Sequence, residues 1–263
     1  MSRRVGVLCL AVVLAVLALQ PLLAPYNPME TELTDRPAPP GGAHPLGTDK
    51  VGRDVLARLA AGAWSSLWVA GLALAVSTAV GVVAGATGGM AGGLADRAIT
   101  TVVDLLLAFP RLLLLLNLVA ALRLTSLLSL VLLIGATSWM STARLARTEV
   151  LSLRSRPFVE AARAAGAGTG RLLARHVVPQ LGRLVREQAG LRFASMILAI
   201  ASLDYLGIGL PGDRPTWGRM IRDGQPYLNE YPWIALSAVG MLALVSVGLV
   251  LAGERRAALP AGP

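Results

Sequence analysis

Long apolar runs, separated by short polar segments, make up most of the chain. A helix needs roughly 20 predominantly apolar residues to cross the hydrocarbon core of a bilayer. Six runs come close to that length: Val5–Leu23, Leu67–Ala86, Ile99–Leu122, Thr125–Ala143, Phe193–Leu210 and Trp233–Ala252. The pattern therefore predicts an all-α, polytopic membrane protein with six transmembrane helices.

The first run resembles a signal peptide at its start, because Arg3 and Arg4 precede it. It is longer than a usual signal-peptide core, however, and its end at Leu23-Ala24-Pro25 lacks a good cleavage site of small residues. We therefore predict a retained signal anchor.

The third run is the least regular, since it contains Asp104, Pro110 and Arg111. Proline bends a helix, so Arg111 is expected at a kink. Asp104 is expected near the inner end of this helix, paired with Arg97 as a structural anchor.

Composition excludes a soluble globular protein. Hydrophobic residues make up 55% of the chain and charged residues only 15%, too little charge to cover a soluble surface. The net charge of +9 would suit nucleic acid. The arginines lie between apolar runs rather than on one domain, so we predict no nucleic-acid partner and expect membrane lipid around the chain.

The arginines instead predict orientation. Ten of them lie between the fourth and fifth runs: Arg144, Arg147, Arg154, Arg156, Arg163, Arg171, Arg175, Arg183, Arg186 and Arg192. Positive loops stay in the cytoplasm, which places both termini there as well. We predict an N-terminal span with an outward-facing segment (residues 1–66), a five-helix core (67–252) containing the arginine-rich loop at about 144–192, and a cytoplasmic tail (253–263).

Sequence patterns for catalysis are missing. A phosphate-binding loop needs Gly-Lys-Ser/Thr, but the only lysine, Lys50, precedes Val51. His44 and His176 fall on opposite sides of the membrane in the predicted topology, and Cys9 is the only cysteine. We therefore predict no enzyme activity, no cofactor and no metal site in this chain.

The arginine-rich loop contains the most informative motif. Residues 158–166 read Phe-Val-Glu-Ala-Ala-Arg-Ala-Ala-Gly, and residues 176–179 read His-Val-Val-Pro. Pro157 favours a helix start, Glu160 suits the positive end of the helix dipole, and Gly166 can form the left-handed turn that ends it. A second short helix from Arg171 to Val178 is expected to end at Pro179. The pattern predicts a helical stub that docks on a soluble partner, or alternatively an amphipathic helix on anionic lipid.

This spacing closely resembles the Glu-Ala-Ala loop of ABC importer permeases of the peptide and nickel family, with Val178 in place of the usual leucine. The resemblance implies that residues 157–179, here termed the coupling segment, contact the ATPase subunit and transmit its motion. The implied residues are Glu160, Ala161, Ala162, Arg163, Gly166 and Pro179.

Further motifs resemble the second permease of peptide importers. They are residues 44–49 and 52–56 before the second span, Asp104–Pro110, Leu206–Gly209 and Pro215–Gly218. Glycine permits tight turns, and Asp54 is suited to cap a short helix continuing toward Gly62. The resemblance implies an outward segment facing the binding protein, with Gly47, Asp49, Gly52, Arg53, Asp54 and Trp217.

One position departs from the family pattern. Ile200 and Asp204 stand where the family usually has glutamate and serine, one helical turn apart on a shared face. We hypothesise that Asp204 lines the translocation path, or alternatively that it bonds neighbouring backbone or an arginine at the helix end. Asn117 is a second path candidate, although an asparagine inside a span more often bonds between helices.

Together the resemblance implies a permease subunit of an ATP-driven bacterial importer for di- or oligopeptides, located in the inner membrane and working by alternating access. It implies a second homologous permease, two cytoplasmic ATPase subunits that bind ATP and magnesium, and a soluble or lipid-anchored binding protein. Three alternatives remain open: import of nickel or another small solute, an ATP-independent channel or secondary transporter, and a membrane anchor without a transport role.

Overall fold

The computed structural model describes residues 2–31, 37–122, 126–210 and 212–253, without the side chains of Ser2, Arg163, Ala174 and His176. Most of the predicted tail at 253–263 lies outside these residues. The helices are α1 Ser2–Leu23, α2 Val55–Ala91, α3 Gly93–Ala108, α4 Arg111–Leu122, α5 Leu127–Ala136, α6 Trp139–Arg154, α7 Pro157–Ala164, α8 Thr169–Leu172, α9 Val178–Tyr205, α10 Trp217–Gly224 and α11 Trp233–Gly253. A π-helical turn (Leu173–Val177) joins α8 to α9, and a 3₁₀ turn (Gln225–Tyr227) follows α10.

The described part of the chain confirms the all-α class and a multi-span protein. Four helical segments are long and apolar enough to cross a bilayer: Arg3–Leu23, Val55–Ala91, Leu127–Arg154 and Trp233–Gly253. The bent pair α3 and α4 makes a fifth if it counts as one span. The predicted span Phe193–Leu210 falls at the end of α9, which is not among these segments. The count of six spans stays a prediction.

Helix α2 unites two stretches that the sequence pattern predicts separately, a short helix after Asp54 and the span from Leu67. The Asp54 carboxylate accepts the backbone N–H of Ala57 at 2.7 Å, so the predicted cap is confirmed. The helix does not end near Gly62 but runs unbroken to Ala91. A helix satisfies its backbone hydrogen bonds internally in water and in lipid alike, so the polarity boundary between residues 66 and 67 does not interrupt it.

Helices α3 and α4 meet at 92°. Phe109 is extended, with φ −86° and ψ 137°, because the ring of Pro110 disfavours helical backbone in the preceding residue. Arg111 lies at this kink, as predicted, and its Nη2 donates to Ser138 Oγ at 2.7 Å.

The chain forms two compact units. Unit 1 comprises residues 1–71 and 189–263, and unit 2 comprises residues 72–188. In unit 1, α1 packs along α11, and Gly6 lies against the backbone of Leu251 and Ala252. Small residues at such contacts allow helix backbones to approach closely.

Unit 2 is organised around a close contact between α2 and α6. Gly81, Gly85 and Gly89 recur every four residues on one face of α2. A Cβ atom at Gly85 would overlap the carbonyl oxygen of Ala143, and one at Gly81 would overlap the side chain of Thr142. The glycine face therefore sets the distance between α2 and α6.

Candidate functional site

Helix α7 forms the first half of the coupling segment and is anchored by one buried residue. Val159 is 1% exposed and belongs to a cluster that includes Met90 of α2 and Val150 of α6. Glu160 and Ala161 are exposed on the opposite side. The helix thus packs on unit 2 with one face and presents a small-residue face with a carboxylate outward.

The end of α7 is a left-handed glycine turn, as the sequence predicts. Gly166 has φ 81°, and the backbone N–H of Ala167 donates to the carbonyl of Ala162 at 3.0 Å. This six-residue bond is the mark of a Schellman motif, which suits glycine at the turn position. The turn aims the chain from α7 into α8.

The second half of the coupling segment differs from the prediction, because Pro179 does not end a helix. Helix α8, the π turn and α9 run without a break from Thr169 to Tyr205. Within the π turn the N–H of Val178 bonds to the carbonyl of Leu173, five residues back. A wider turn just before a proline relieves the clash between its ring and the carbonyl four residues earlier. Pro179 is therefore accommodated in the first turn of α9.

Four of the residues implied by the resemblance lie together at α7. Glu160, Ala161 and Gly166 are exposed, whereas Ala162 is partly buried against the cluster around Val159. The side chain of Arg163 lies outside the described residues.

Two ion pairs join α3 to α6, the helix that precedes the coupling segment. Arg144 Nη2 contacts Asp104 Oδ1 at 2.5 Å, so the predicted partner Arg97 is wrong. Arg97 lies seven residues away on the same helix, about 10 Å along its axis, while α6 brings Arg144 alongside. Arg147 Nε and Nη2 donate to the two oxygens of Asp96 at 2.5 and 2.7 Å, a pair that the sequence analysis missed.

The segment before α2, which is predicted to face outward, is folded around the Asp49 carboxylate. Gly47 and Gly52 have φ 73° and 81°, as their predicted turns require. Asp49 Oδ1 accepts the N–H groups of Val51 and Arg53, and Asp49 Oδ2 lies 2.8 Å from Arg53 Nε. These contacts make the segment a fixed surface rather than a loose linker.

Arg58 completes this segment and was missed from the sequence. It is 2% exposed, with its Nε 3.5 Å from Asp49 Oδ2 and its Nη2 4.0 Å from Asp223 Oδ2. The sequence did contain a signal for Arg58, since it is a charged residue one helical turn after Asp54 in an otherwise apolar run.

Trp217 serves packing in unit 1. It is fully buried, and its Nε1 donates to the carbonyl of Leu59 at 3.0 Å. The indole of Trp233 makes the equivalent bond to Thr48 at 3.1 Å. These two tryptophans tie the segment before α2 and the start of α2 to α10 and α11.

Asp204 lies at the end of α9 and forms a hydrogen bond within unit 1. It is 1% exposed and accepts the N–H of Leu210 at 2.6 Å. The helix ends in a second Schellman motif, in which Gly207 has φ 82° and Ile208 N–H bonds to the carbonyl of Leu203 at 3.1 Å. The Leu210 bond is the backbone contact expected of a helix-end aspartate, and a role of Asp204 in the translocation path stays a prediction.

Arg219 holds the same loop from α10. Its Nη2 donates to the carbonyl of Leu210 at 2.8 Å, and its Nη1 donates to the carbonyls of Gly212 and Arg214. Asp204 and Arg219 therefore fasten the loop that follows α9 through its backbone.

We expect Asp204→Ala to loosen this loop. Losing the acceptor leaves a buried N–H without a partner, which costs about 1–3 kcal/mol. Hydrogen exchange of the Leu210 amide should accelerate in Asp204→Ala and much less in Asp204→Asn, which keeps an oxygen acceptor. Equal protection in wild type and Asp204→Ala would contradict the assignment.

Asn117 lies on α4 with its side chain exposed. Its Nδ2 donates to the carbonyl of Leu113, one turn back, at 2.7 Å. Exposed leucines lie on the same helix, including Leu112 and Leu113. The role of Asn117 in the translocation path stays a prediction.

Comparison with known proteins shows which family and which relatives the chain resembles. Residues 77–256 match the family model described as "Binding-protein-dependent transport system inner membrane component". An oligopeptide transport system permease protein of Bacillus subtilis is 31% identical over 250 residues, 95% of this chain and 82% of the relative. A dipeptide transport system permease protein of Alkalihalophilus pseudofirmus is 32% identical with the same coverage. An oligopeptide transport system permease protein of Mycobacterium tuberculosis is 33% identical over 238 residues, 90% of this chain and 81% of the relative.

Proposed function

Since the chain belongs to the family of binding-protein-dependent transport system inner membrane components, we propose that it is a permease subunit of an ATP-driven bacterial importer of peptides. The names of its relatives, which refer to oligopeptide and dipeptide transport, support peptides as the solute. The chain forms half of a path that opens alternately to the two sides of the membrane. A second, homologous permease forms the other half.

The observation that carries this proposal is the anchored coupling segment. Its helix α7 is fixed to unit 2 through Val159 and leaves Glu160 and Ala161 exposed. A small-residue face permits close approach of another backbone, and a carboxylate supplies a polar contact. These features suit docking onto a cytoplasmic ATPase subunit.

The transport cycle follows from the partners. A soluble or lipid-anchored binding protein delivers peptide at the outward segment around Asp49, Arg53 and Asp54. Two ATPase subunits bind ATP and magnesium, and their closure moves the coupling segment, including Arg163 and Pro179. Both termini face the cytoplasm in this arrangement, and this chain supplies no ATPase site.

The path residues divide into two roles. Asn117, which is exposed on an apolar helix, contacts solute or the second permease along the path. Asp204 acts indirectly, by holding the outward loop that borders the path.

Purification from native membranes in mild detergent tests the proposal. We expect a second permease, two ATPase subunits and a binding protein to accompany the tagged chain, and the reconstituted complex to take up peptide only with ATP. A chain that purifies alone after cross-linking, or uptake that persists without ATP, would overturn it.

A substitution on the exposed face of α7 tests the docking surface. Ala161→Arg adds a long side chain where close approach is needed, so we expect about tenfold weaker retention of the ATPase subunits. Pull-down followed by quantitative mass spectrometry measures this retention. Ser152→Arg, on the exposed face of α6, is the control and should retain them normally.

A further inference from the structure

Helix α6 is joined firmly to the coupling segment at its C-terminal end. Only Ser155 and Arg156 separate α6 from α7, and the N–H of Val159 bonds to the carbonyl of Arg156 at 2.9 Å. The Val159 side chain then packs with Val150 and Leu153 of α6. A displacement of α7 must therefore carry α6 with it.

The same helix is joined to α3 by charge. Arg147 binds both oxygens of Asp96, and Arg144 binds Asp104 two turns further along α3. A planar guanidinium that holds a carboxylate through two bonds fixes both distance and orientation. The contact between α3 and α6 thus has a defined register.

Apolar packing alone would hold these helices together, so the ion pairs need a further reason. Val103 and Ile99 of α3 already pack against Met140 and Ala143 of α6. Ion pairs as exposed as these, with carboxylate side chains 15% and 54% exposed, add little net stability. They do supply a defined geometry, which non-directional apolar packing does not.

Helix α3 leads directly to the 92° bend and into α4, which carries Asn117. We propose that the pairs Asp96–Arg147 and Asp104–Arg144 form a rigid link through which motion of the coupling segment reaches the bent pair α3 and α4. The four side chains are positioning residues, and this inference rests on the proposed function. Losing the link uncouples ATP hydrolysis from opening of the path, while the ATPase subunits stay bound.

The test uses the complete complex in proteoliposomes, with peptide uptake and ATP hydrolysis measured on the same preparation. We expect Asp96→Asn and Arg147→Gln to lower peptide uptake per ATP by about tenfold. Exchanging the charges in the double variant Asp96→Arg, Arg147→Asp should restore most of the coupling, because the pair is rebuilt with opposite polarity. A merely structural role would lower complex yield and leave uptake per ATP unchanged.

Two further variants keep the test decisive. Asp104→Asn alters the more exposed pair, whose carboxylate side chain is 54% exposed, and should lower coupling in the same direction without loss of folding. Arg183→Gln breaks the exposed pair Arg183–Glu187 on α9 and should leave coupling unchanged.

The outcomes separate the two proposals. Wild-type complex that takes up no peptide with ATP rejects the proposed function. Wild-type transport together with normal coupling in both Asp96→Asn and Asp104→Asn rejects the link, as does an intact charge-exchanged complex that regains no coupling.

Discussion

Replacing Gly85 by leucine should remove most of the folded chain from detergent extracts. The Cβ of the new side chain would overlap the carbonyl oxygen of Ala143 and press on the Cβ of Ala146. Both belong to α6, so α2 and α6 must separate along their whole contact. We expect a loss on the order of 3 kcal/mol or more, since neither helix backbone can yield locally.

Gly71 supplies a matched control for this experiment. It lies on the same helix, but a Cβ there meets no atom within 4 Å. Gly71→Leu should give nearly wild-type yield and thermal stability by size-exclusion and differential scanning measurements. Equal behaviour of the two variants would show that the glycine face does not set the spacing of α2 and α6.

The second large effect is expected from Val159→Asp. This change puts a carboxylate at a position 1% exposed, among apolar side chains that offer it no partner. Burying an unpaired charge costs roughly 3–5 kcal/mol. We expect this cost to exceed the free energy that holds α7, a helix of 8 residues, against unit 2. Helix α7 should detach from unit 2, and ATP-dependent uptake should be lost.

Limited proteolysis distinguishes this local effect from general unfolding. Cleavage after the arginines of the coupling segment should accelerate strongly in Val159→Asp, while the apolar spans stay protected. Ala164→Asp, on the exposed side of the same helix, is the control and should show wild-type cleavage. Unchanged cleavage in Val159→Asp would contradict the anchoring role.

The sequence allowed accurate prediction wherever one residue determines the local backbone. The Asp54 cap, the Gly166 turn and the kink before Arg111 each follow from one side chain, and all three are confirmed. Helix ends were predicted less well. Hydropathy records where polarity changes, whereas a helix ends only where its backbone bonds end, so the continuity of α2 from Val55 through to Ala91 was not visible.

The site was harder to predict because its contacts join distant residues. Arg144 and Arg147 reach α3 only after α6 has packed beside it, and neither distance along the chain nor periodicity indicates this. The prediction that a helix ends at Pro179 was wrong for a related reason. Proline usually stops a helix, but the π turn before Pro179 relieves the clash between its ring and the preceding backbone. For Asp204 the sequence left two interpretations open, a path residue and a helix-end aspartate, because the burial of a side chain depends on contacts between distant residues.

The length of α2 has a consequence for the choice of membrane. With 37 residues the helix is about 55 Å long, whereas a hydrocarbon core is about 30 Å thick. Mismatch with the bilayer depends on the apolar stretch rather than on the whole helix, and the apolar run Leu67–Ala86 is about 30 Å long. The first turns of α2, before Leu67, therefore extend beyond the hydrocarbon core, and lipids of ordinary acyl-chain length are the matched choice for reconstitution.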